Sequence, residues 1–273
     1  MLFSNIHQES INMHNYNGKL VELPKKGKAL IVTDIHGNLT DFKKFMHIWD
    51  EYEDQEDNHL IITGDFIHAM GLDNDKSVEI LEYVKFLWEN ISNIHVLLGN
   101  HEWSTISNQA LFKAGINQTY NFDELLKDKF GLDNFKEKLQ EYIEFFKKLP
   151  IAVRTANGVF ISHAGPPTNI KSLEDITHIT SDGYNSKNSK LFQMMWNRAD
   201  NFNKSQLKSF LKIMDCRMMI VGHTPVNGIK LVHKYQMVVS SSYGKGKKAY
   251  VILDLEKDIK KSKDLVNMVK YLK

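Results

Sequence analysis

The sequence contains a single cysteine, Cys216, so no disulfide can form within these 273 residues. This fits a reducing compartment, and we expect a cytoplasmic protein. No apolar run is long enough to span a bilayer, so no membrane partner is expected. The first ten residues, MLFSNIHQES, lack the basic start and apolar stretch of a secretory signal.

Arginine is also scarce. The 35 basic residues are nearly all lysine, and the arginines are Arg154, Arg198 and Arg217. A bidentate grip on a phosphate therefore has few possible sources. The formal net charge of +2 gives no indication of specific nucleic-acid binding. With 42% hydrophobic and 25% charged residues, the composition is that of an ordinary soluble globular protein.

Short apolar runs alternate with polar clusters and helical periodicity along most of the chain. Helical patterns follow the first two runs, over about 39–52 and 75–89. Strand, polar loop and helix in repetition predict an α/β layered fold with functional loops at the carboxyl ends of strands. The runs that end in polar clusters cover residues 29–33, 60–63, 94–98, 159–162 and 218–221.

The remaining segments complete one predicted domain, residues 1–273. A charged, helical stretch over 121–149, broken near Gly131 and closed by Pro150, predicts a helical insertion at about 104–149. Three later apolar runs, near residues 229, 238 and 251, predict a closing antiparallel sheet. The lysine-rich end, 256–273, predicts a surface helix.

The polar clusters contain residue types that bind metals. Carboxylates, imidazoles and an amide oxygen are ligands that Mn²⁺, Fe and Zn²⁺ accept. One cluster alone would be a weak signal, but five at strand ends predict a metal site. The candidates are Asp34 and His36, Asp65, Asn100 and His101, His163, and His223.

The clusters read D-I-H-G-N, G-D, G-N-H-E, S-H-A-G and G-H-T-P in order. This order resembles the calcineurin-like metallophosphoesterase superfamily, and within it the phosphoprotein phosphatase family. That family includes serine/threonine phosphatases and bacterial diadenosine tetraphosphate hydrolases. The resemblance extends over about residues 29–225 and implies a β-sandwich flanked by helices, in α-β-β-α layers.

The resemblance also implies a role for each residue. Two divalent cations, Mn²⁺ first with Fe or Zn²⁺ as alternatives, would share a hydroxide that attacks phosphorus directly. His101 would be the general acid that protonates the leaving alcohol. One cation would be held by Asp34, His36 and Asp65, and the other by the bridging Asp65 with Asn100, His163 and His223. The phosphate would be contacted by Asn100, His101 and Arg198.

The second motif departs from the family pattern G-D-x-V-D-R-G. His68 replaces the aspartate that orients the catalytic histidine, and Ala69 replaces a phosphate-binding arginine. Arg198, in M-W-N-R, resembles a tryptophan-x-arginine segment of bacterial relatives and is expected to compensate. His68 is either a substitute partner for His101 or a substrate contact, or else an ordinary loop histidine, and the last interpretation is favoured.

These observations predict a metal-dependent phosphatase that acts on a phosphorylated substrate, with serine/threonine protein phosphatase as the leading assignment. A hydrolase of dinucleoside polyphosphates or another small phosphoester is the alternative. A phosphate-binding module without catalysis is a third possibility. Among the neighbours of the site, Glu102 is expected to support the ligands and Asn38 to cap a helix. Tyr243 is expected to lie in a surface turn, with a late loop that approaches the site as the alternative.

Overall fold

The computed structural model describes residues 16–69, 74–113 and 115–273. Its strands are β1 (Leu20–Leu23), β2 (Lys28–Val32), β3 (His59–Ile62), β4 (Ile94–Val96), β5 (Phe112–Lys113), β6 (Ile116–Asn117), β7 (Ala152–Thr155), β8 (Val159–Ser162), β9 (Met218–Val221), β10 (Ile229–Val232), β11 (Gln236–Val239), β12 (Ala249–Asp254) and β13 (Val269–Tyr271). Its α-helices are α1 (Leu39–Asp50), α2 (Ser77–Asn90), α3 (Asn100–Ile106), α4 (Gln118–Phe130), α5 (Phe135–Lys148), α6 (Glu174–Thr177), α7 (Ser189–Trp196), α8 (Lys204–Ile213) and α9 (Ser262–Val266).

Two mixed sheets form the centre of the fold. One has the strand order β1-β7-β8-β9-β11-β10, and the other has the order β13-β12-β2-β3-β4. In the second sheet β2, β3 and β4 are parallel neighbours, so their carboxyl ends lie at one edge. In the first sheet β8 and β9 are likewise parallel. Each of these parallel strands ends in one of the predicted polar clusters.

The alternation of side chains along the strands explains the layers. On β2, Ala29 and Ile31 belong to the core between the two sheets, where they meet β8 and β9 residues such as Ile161 and Ile220. The intervening Leu30 and Val32 face a second core that the helices cover. Because successive strand residues point to opposite faces, both faces of the sheet are buried. The predicted α-β-β-α layering is confirmed.

The helices near the site begin and end close to their predicted limits. Asn38 caps α1, as expected, because its side chain accepts a hydrogen bond from Asp41 N at 3.1 Å. The charged stretch after residue 118 forms α4 and α5, with Gly131 between them at φ 82°. The assignment of one domain with a helical insertion stays a prediction.

Two predictions about the end of the chain were wrong. The three late apolar runs do not form one closing sheet, because β10 and β11 pair in the first sheet whereas β12 pairs with β2 in the second. The expected helix over 256–273 is reduced to α9, and β13 follows it as an edge strand paired with β12. Pairing with an existing strand outweighs the helix propensity of so short a segment.

Within the described ranges, every helix is too short or too polar to cross a lipid bilayer.

Candidate active site

The predicted site residues meet where the two sheets adjoin. Asp34 and His36 follow β2, Asp65 follows β3, and Asn100 and His101 open α3 just after β4. From the other sheet, His163 follows β8 and His223 follows β9. The structure brings all seven side chains together, although they span nearly two hundred positions of the sequence.

Asp65 lies at the centre of this group. Its Oδ2 atom is 3.5 Å from Nε2 of His163, 3.8 Å from Nε2 of His36 and 3.8 Å from Nε2 of His101. The other carboxylate oxygen, Oδ1, accepts a hydrogen bond from His101 N at 3.0 Å. One carboxylate therefore faces imidazoles from both sheets, as a residue shared by two cations must.

The remaining candidates form a second set of short contacts. Nε2 of His163 is 2.9 Å from Oδ1 of Asn100 and 3.2 Å from Nδ1 of His223. Nδ1 of His163 lies 3.0 Å from the Thr63 carbonyl, which orients the ring. Asp34 accepts hydrogen bonds from His223 N at 2.9 and 3.0 Å, so the two sheets are joined at this point.

The donor set fits divalent metal ions. The ligand atoms of His36, Asp65 and His101 lie within 4.8 Å of one another, and so do those of Asp65, His163 and His223. Burial lowers the pKa of His163 and of His223, which keeps each imidazole neutral with a lone pair available. Asp34 is absent from these two groups, and its Oδ1 lies 3.9 Å from Nε2 of His36.

The backbone of the site adopts conformations that are costly outside glycine. His36, Asp65 and His223 have φ values of 49°, 54° and 61°. Left-handed backbone at such residues persists only where the surroundings fix it, and it is concentrated at functional sites. Here it turns the three side chains away from the strand direction and towards one another.

Glu102 fixes the loop around Asp65, as expected of a supporting residue. Its buried carboxylate accepts hydrogen bonds from the backbone N–H groups of Asp65 at 2.9 Å, Phe66 at 3.0 Å and Gly99 at 3.0 Å. A fourth, from Ile67 N, is longer at 3.4 Å. Burial, followed by the charge of Asp65, raises the pKa of this carboxyl to about 7.

Two motif glycines are required by close packing. A Cβ atom on Gly99 would overlap the backbone nitrogen of Asp65 and would lie 2.6 Å from Oε2 of Glu102. A Cβ atom on Gly222 would overlap the Asp34 carboxylate. Glycine lets the backbone approach the acidic groups at both places.

Six of the seven residues, all but His163, line a cavity of about 570 Å³. Arg198 lines it as well, with its Nε atom 3.4 Å from Nε2 of His223. Arg154 instead pairs with Glu22, and Arg217 reaches the Ile259 carbonyl at 3.5 Å. Of the three arginines, Arg198 is therefore the one that lies at the cavity.

The structure places His68 against His101, as its interpretation as a partner of that residue predicts, and its role there stays a prediction. The side chain is 1% exposed, and its Nδ1 atom lies 3.0 Å from Nδ1 of His101. Its ring also meets Phe122 of α4 edge to face, with ring centroids 5.4 Å apart. The sequence signal for this contact was a histidine at the position of the missing aspartate. The contact between His68 and His101 itself depends on how α3 packs against this loop.

Tyr243 lines the cavity, which agrees with the alternative that its loop approaches the site. Its loop is held by Asp41, which accepts hydrogen bonds from Ser242 Oγ at 2.6 Å and from Lys248 Nζ. Sequence reasoning also missed Leu111, Phe112 and Lys245, which line the cavity but belong to no motif.

Curated relatives of this chain are serine/threonine phosphatases by name. The chain is 27% identical over 167 residues to a probable serine/threonine-protein phosphatase of Encephalitozoon cuniculi, covering 59% of this chain and 32% of the relative. It is 21% identical over 214 residues to a serine/threonine-protein phosphatase of Caenorhabditis elegans, covering 73% and 43%. The chain thus spans less than half the length of either relative.

Solved structures share the fold. A protein serine/threonine phosphatase from Saccharomyces cerevisiae aligns with a TM-score of 0.66 at 18% identity, covering 86% of this chain and 76% of the other. A cold-active protein-tyrosine phosphatase of a Shewanella species aligns with a TM-score of 0.63 at 17% identity, covering 93% and 84%. Residues 27–227 match the family described as calcineurin-like phosphoesterase. The chain therefore belongs to the calcineurin-like phosphoesterase family.

Proposed function

We propose that this chain is a metal-dependent phosphomonoesterase, and specifically a serine/threonine protein phosphatase. One observation carries the proposal: Oδ2 of Asp65 lies within 3.8 Å of imidazole nitrogens from both sheets, at a cavity that also contains Arg198. Facing carboxylates and neutral imidazoles favour bound cations, and a phosphate ester is an anion that such a site attracts.

The proposed ligand sets are those that the family resemblance implies. Asp34, His36 and Asp65 would hold one divalent cation, and Asn100, His163 and His223 would join Asp65 around the other. When bound, the two cations would lower the pKa of a water molecule and neutralise charge on the phosphate oxygens. Mn²⁺ is the first choice, because a mixed nitrogen and oxygen donor set suits it; Fe and Zn²⁺ suit the same set.

The protein side chains would position the ester and move the proton. Arg198 and Asn100 would hold phosphate oxygens, with Arg198 supplying the cation that Ala69 cannot. Nε2 of His101, 3.8 Å from the Asp65 carboxylate, faces the group and would donate a proton to the leaving alcohol. Water would attack in line with the leaving oxygen, with no covalent enzyme intermediate.

The protein substrate is supported by the two curated relatives, which are named serine/threonine phosphatases. A dinucleoside polyphosphate substrate is the alternative, because of the second motif. The diadenosine tetraphosphate hydrolases that the chain resembles also lack the aspartate of this motif. They keep its arginine, however, which is Ala69 in this chain.

A substrate panel tests the assignment. The chain is stripped with a chelator, reloaded with Mn²⁺, and assayed for metal content and for hydrolysis of p-nitrophenyl phosphate, a phosphoserine peptide and diadenosine tetraphosphate. We expect about two metals per chain and metal-dependent release of phosphate from the first two substrates. Preference for diadenosine tetraphosphate would replace the protein substrate with the alternative. Full metal loading without turnover of any substrate would overturn the proposed enzymatic function and favour a phosphate-binding module.

A further inference from the structure

His68 and His101 form a buried imidazole pair in the second motif. Their Nδ1 atoms are 3.0 Å apart, and the two side chains are 1% and 4% exposed. Two nitrogens at this distance and depth share one proton, because two bare lone pairs or two N–H groups would repel each other. The pair is therefore joined by one N–H···N hydrogen bond.

The surroundings hold His68 in place from several sides. Its backbone has a left-handed φ of 63°, and Glu102 fixes the residues just before it through the N–H groups of Phe66 and Ile67. On the other side, Ala69 N donates to the Asp75 carboxylate at 3.1 Å. Phe122 packs against the ring. A strained residue fixed this firmly is a rigid support for its neighbour.

The hydrogen bond selects one orientation of the His101 ring. With Nδ1 engaged by His68, Nε2 points towards the Asp65 carboxylate and the cavity. Burial lowers the pKa of His68 to about 3, so it stays neutral. In its acid form His101 is an imidazolium whose Nδ1–H donates to the bare Nδ1 of neutral His68. This hydrogen bond stays in place when Nε2 releases its proton, so His68 can hold His101 both before and after proton transfer.

We propose that His68 is the positioning residue for His101, taking the place of the missing aspartate. The inference rests on the proposed phosphomonoesterase function. In that reaction the P–O bond to the alcohol breaks, its electron pair stays on the alcohol oxygen, and a proton from Nε2 of His101 completes the alcohol. Water oxygen forms the new P–O bond, and the proton that water loses restores His101 through solvent.

Leaving-group dependence separates this role from a general structural one. His68→Leu and His68→Asn are compared with the unaltered chain on p-nitrophenyl phosphate, whose leaving group needs little protonation, and on phenyl phosphate, whose leaving group needs more. We expect His68→Leu to lower kcat on phenyl phosphate about 10- to 100-fold, the usual cost of losing an orienting partner. On p-nitrophenyl phosphate the loss should be about threefold or less, with KM little changed.

Three comparisons sharpen the test. His68→Asn, which keeps a hydrogen-bonding atom at the δ position, should recover part of the phenyl phosphate activity. In a His101→Ala background, His68→Leu should cause no further loss, because its effect acts through His101. His95→Leu is the control, since it breaks another, partly buried contact between histidines and should affect both substrates equally. Equal losses on both substrates in His68→Leu, or additive losses with His101→Ala, would overturn the proposal.

A spectroscopic measurement keeps the pair testable apart from catalysis. In ¹⁵N-labelled protein the shared proton should give an N–H signal coupled to the Nδ1 atoms of both histidines, and His68→Leu and His101→Ala should each abolish it. If the unaltered chain lacks this signal, the pair is disproved even if the chain is an active phosphatase. If the signal is present but no phosphate ester is hydrolysed, the proposed function fails while the pairing stands.

Discussion

Two contacts between histidines lie at different positions along the same sheet. His68 and His101 meet just beyond the carboxyl ends of β3 and β4, with Nδ1 atoms 3.0 Å apart. His59 and His95 meet within β3 and β4 themselves, with Nδ1 and Nε2 atoms 3.1 Å apart. The two distances are nearly the same, but His59 is only partly buried, whereas His68 and His101 are both buried and His101 faces Asp65 and the cavity. Chemistry at these histidines is therefore set by position along the strand.

The largest effect is expected when the negative charge of Asp65 is removed from the site at the strand ends. We expect Asp65→Asn to lower kcat/KM on p-nitrophenyl phosphate by at least about 10²-fold, as when a preorganised charge-stabilising group is lost. Bound metal, measured by elemental analysis, should fall with it. Asp175→Asn is the control, because that carboxylate binds the backbone of residues 171 and 172 outside the cavity. Equal activity of the two variants would contradict the site.

The next effect concerns the support of the same loop. Glu102→Leu leaves the N–H groups of Asp65, Phe66, Ile67 and Gly99 without their acceptor, and should lower the free energy of unfolding by at least about 2 kcal/mol. Urea unfolding measures this change. The exposed Glu53→Gln should stay within about 0.5 kcal/mol of the unaltered chain. A Glu102 variant of normal stability would show that these hydrogen bonds are dispensable.

A smaller effect is expected at the cavity wall. Arg198→Ala should raise KM and lower kcat, reducing kcat/KM on p-nitrophenyl phosphate about tenfold, since an exposed guanidinium makes a weaker charge-assisted contact than a buried one. Metal content should not change. Arg217→Ala removes the same side chain outside the cavity and should keep normal kinetics. A rate for Arg198→Ala equal to that of Arg217→Ala would remove Arg198 from the site.

The smallest effect belongs to the second histidine pair. Burial lowers the pKa of His59 below its ordinary value of 6.5. The unfolded chain therefore takes up this proton more readily, so the contribution of His59 to stability is present above pH 6.5 and is lost as pH falls towards its folded pKa. In urea titrations between about pH 7 and pH 5, His59→Gln should flatten the decline in unfolding free energy. An unchanged dependence of unfolding free energy on pH would show that His59 makes no such contribution.

Much of the site could be predicted because its residues follow short strands with clear apolar runs. The polar clusters after β2, β3, β4, β8 and β9 identify an edge where side chains must meet, whichever strands are neighbours. The partner of β12 could not be predicted, because apolar runs look alike in both sheets. The edge strand β13 depends on pairing with Val251 and its neighbours, and the contact of His68 depends on where α3 docks. Both are tertiary effects that local sequence does not encode.

The site draws Asp34, His36 and Asp65 from one sheet, and His163 and His223 from the other. A cation bound between these groups would link the two sheets directly. Because only the folded chain offers both halves, metal occupancy would raise the resistance to unfolding with the logarithm of metal concentration. A shift of one sheet against the other would separate the ligands. Metal binding would therefore require that the two sheets are correctly packed.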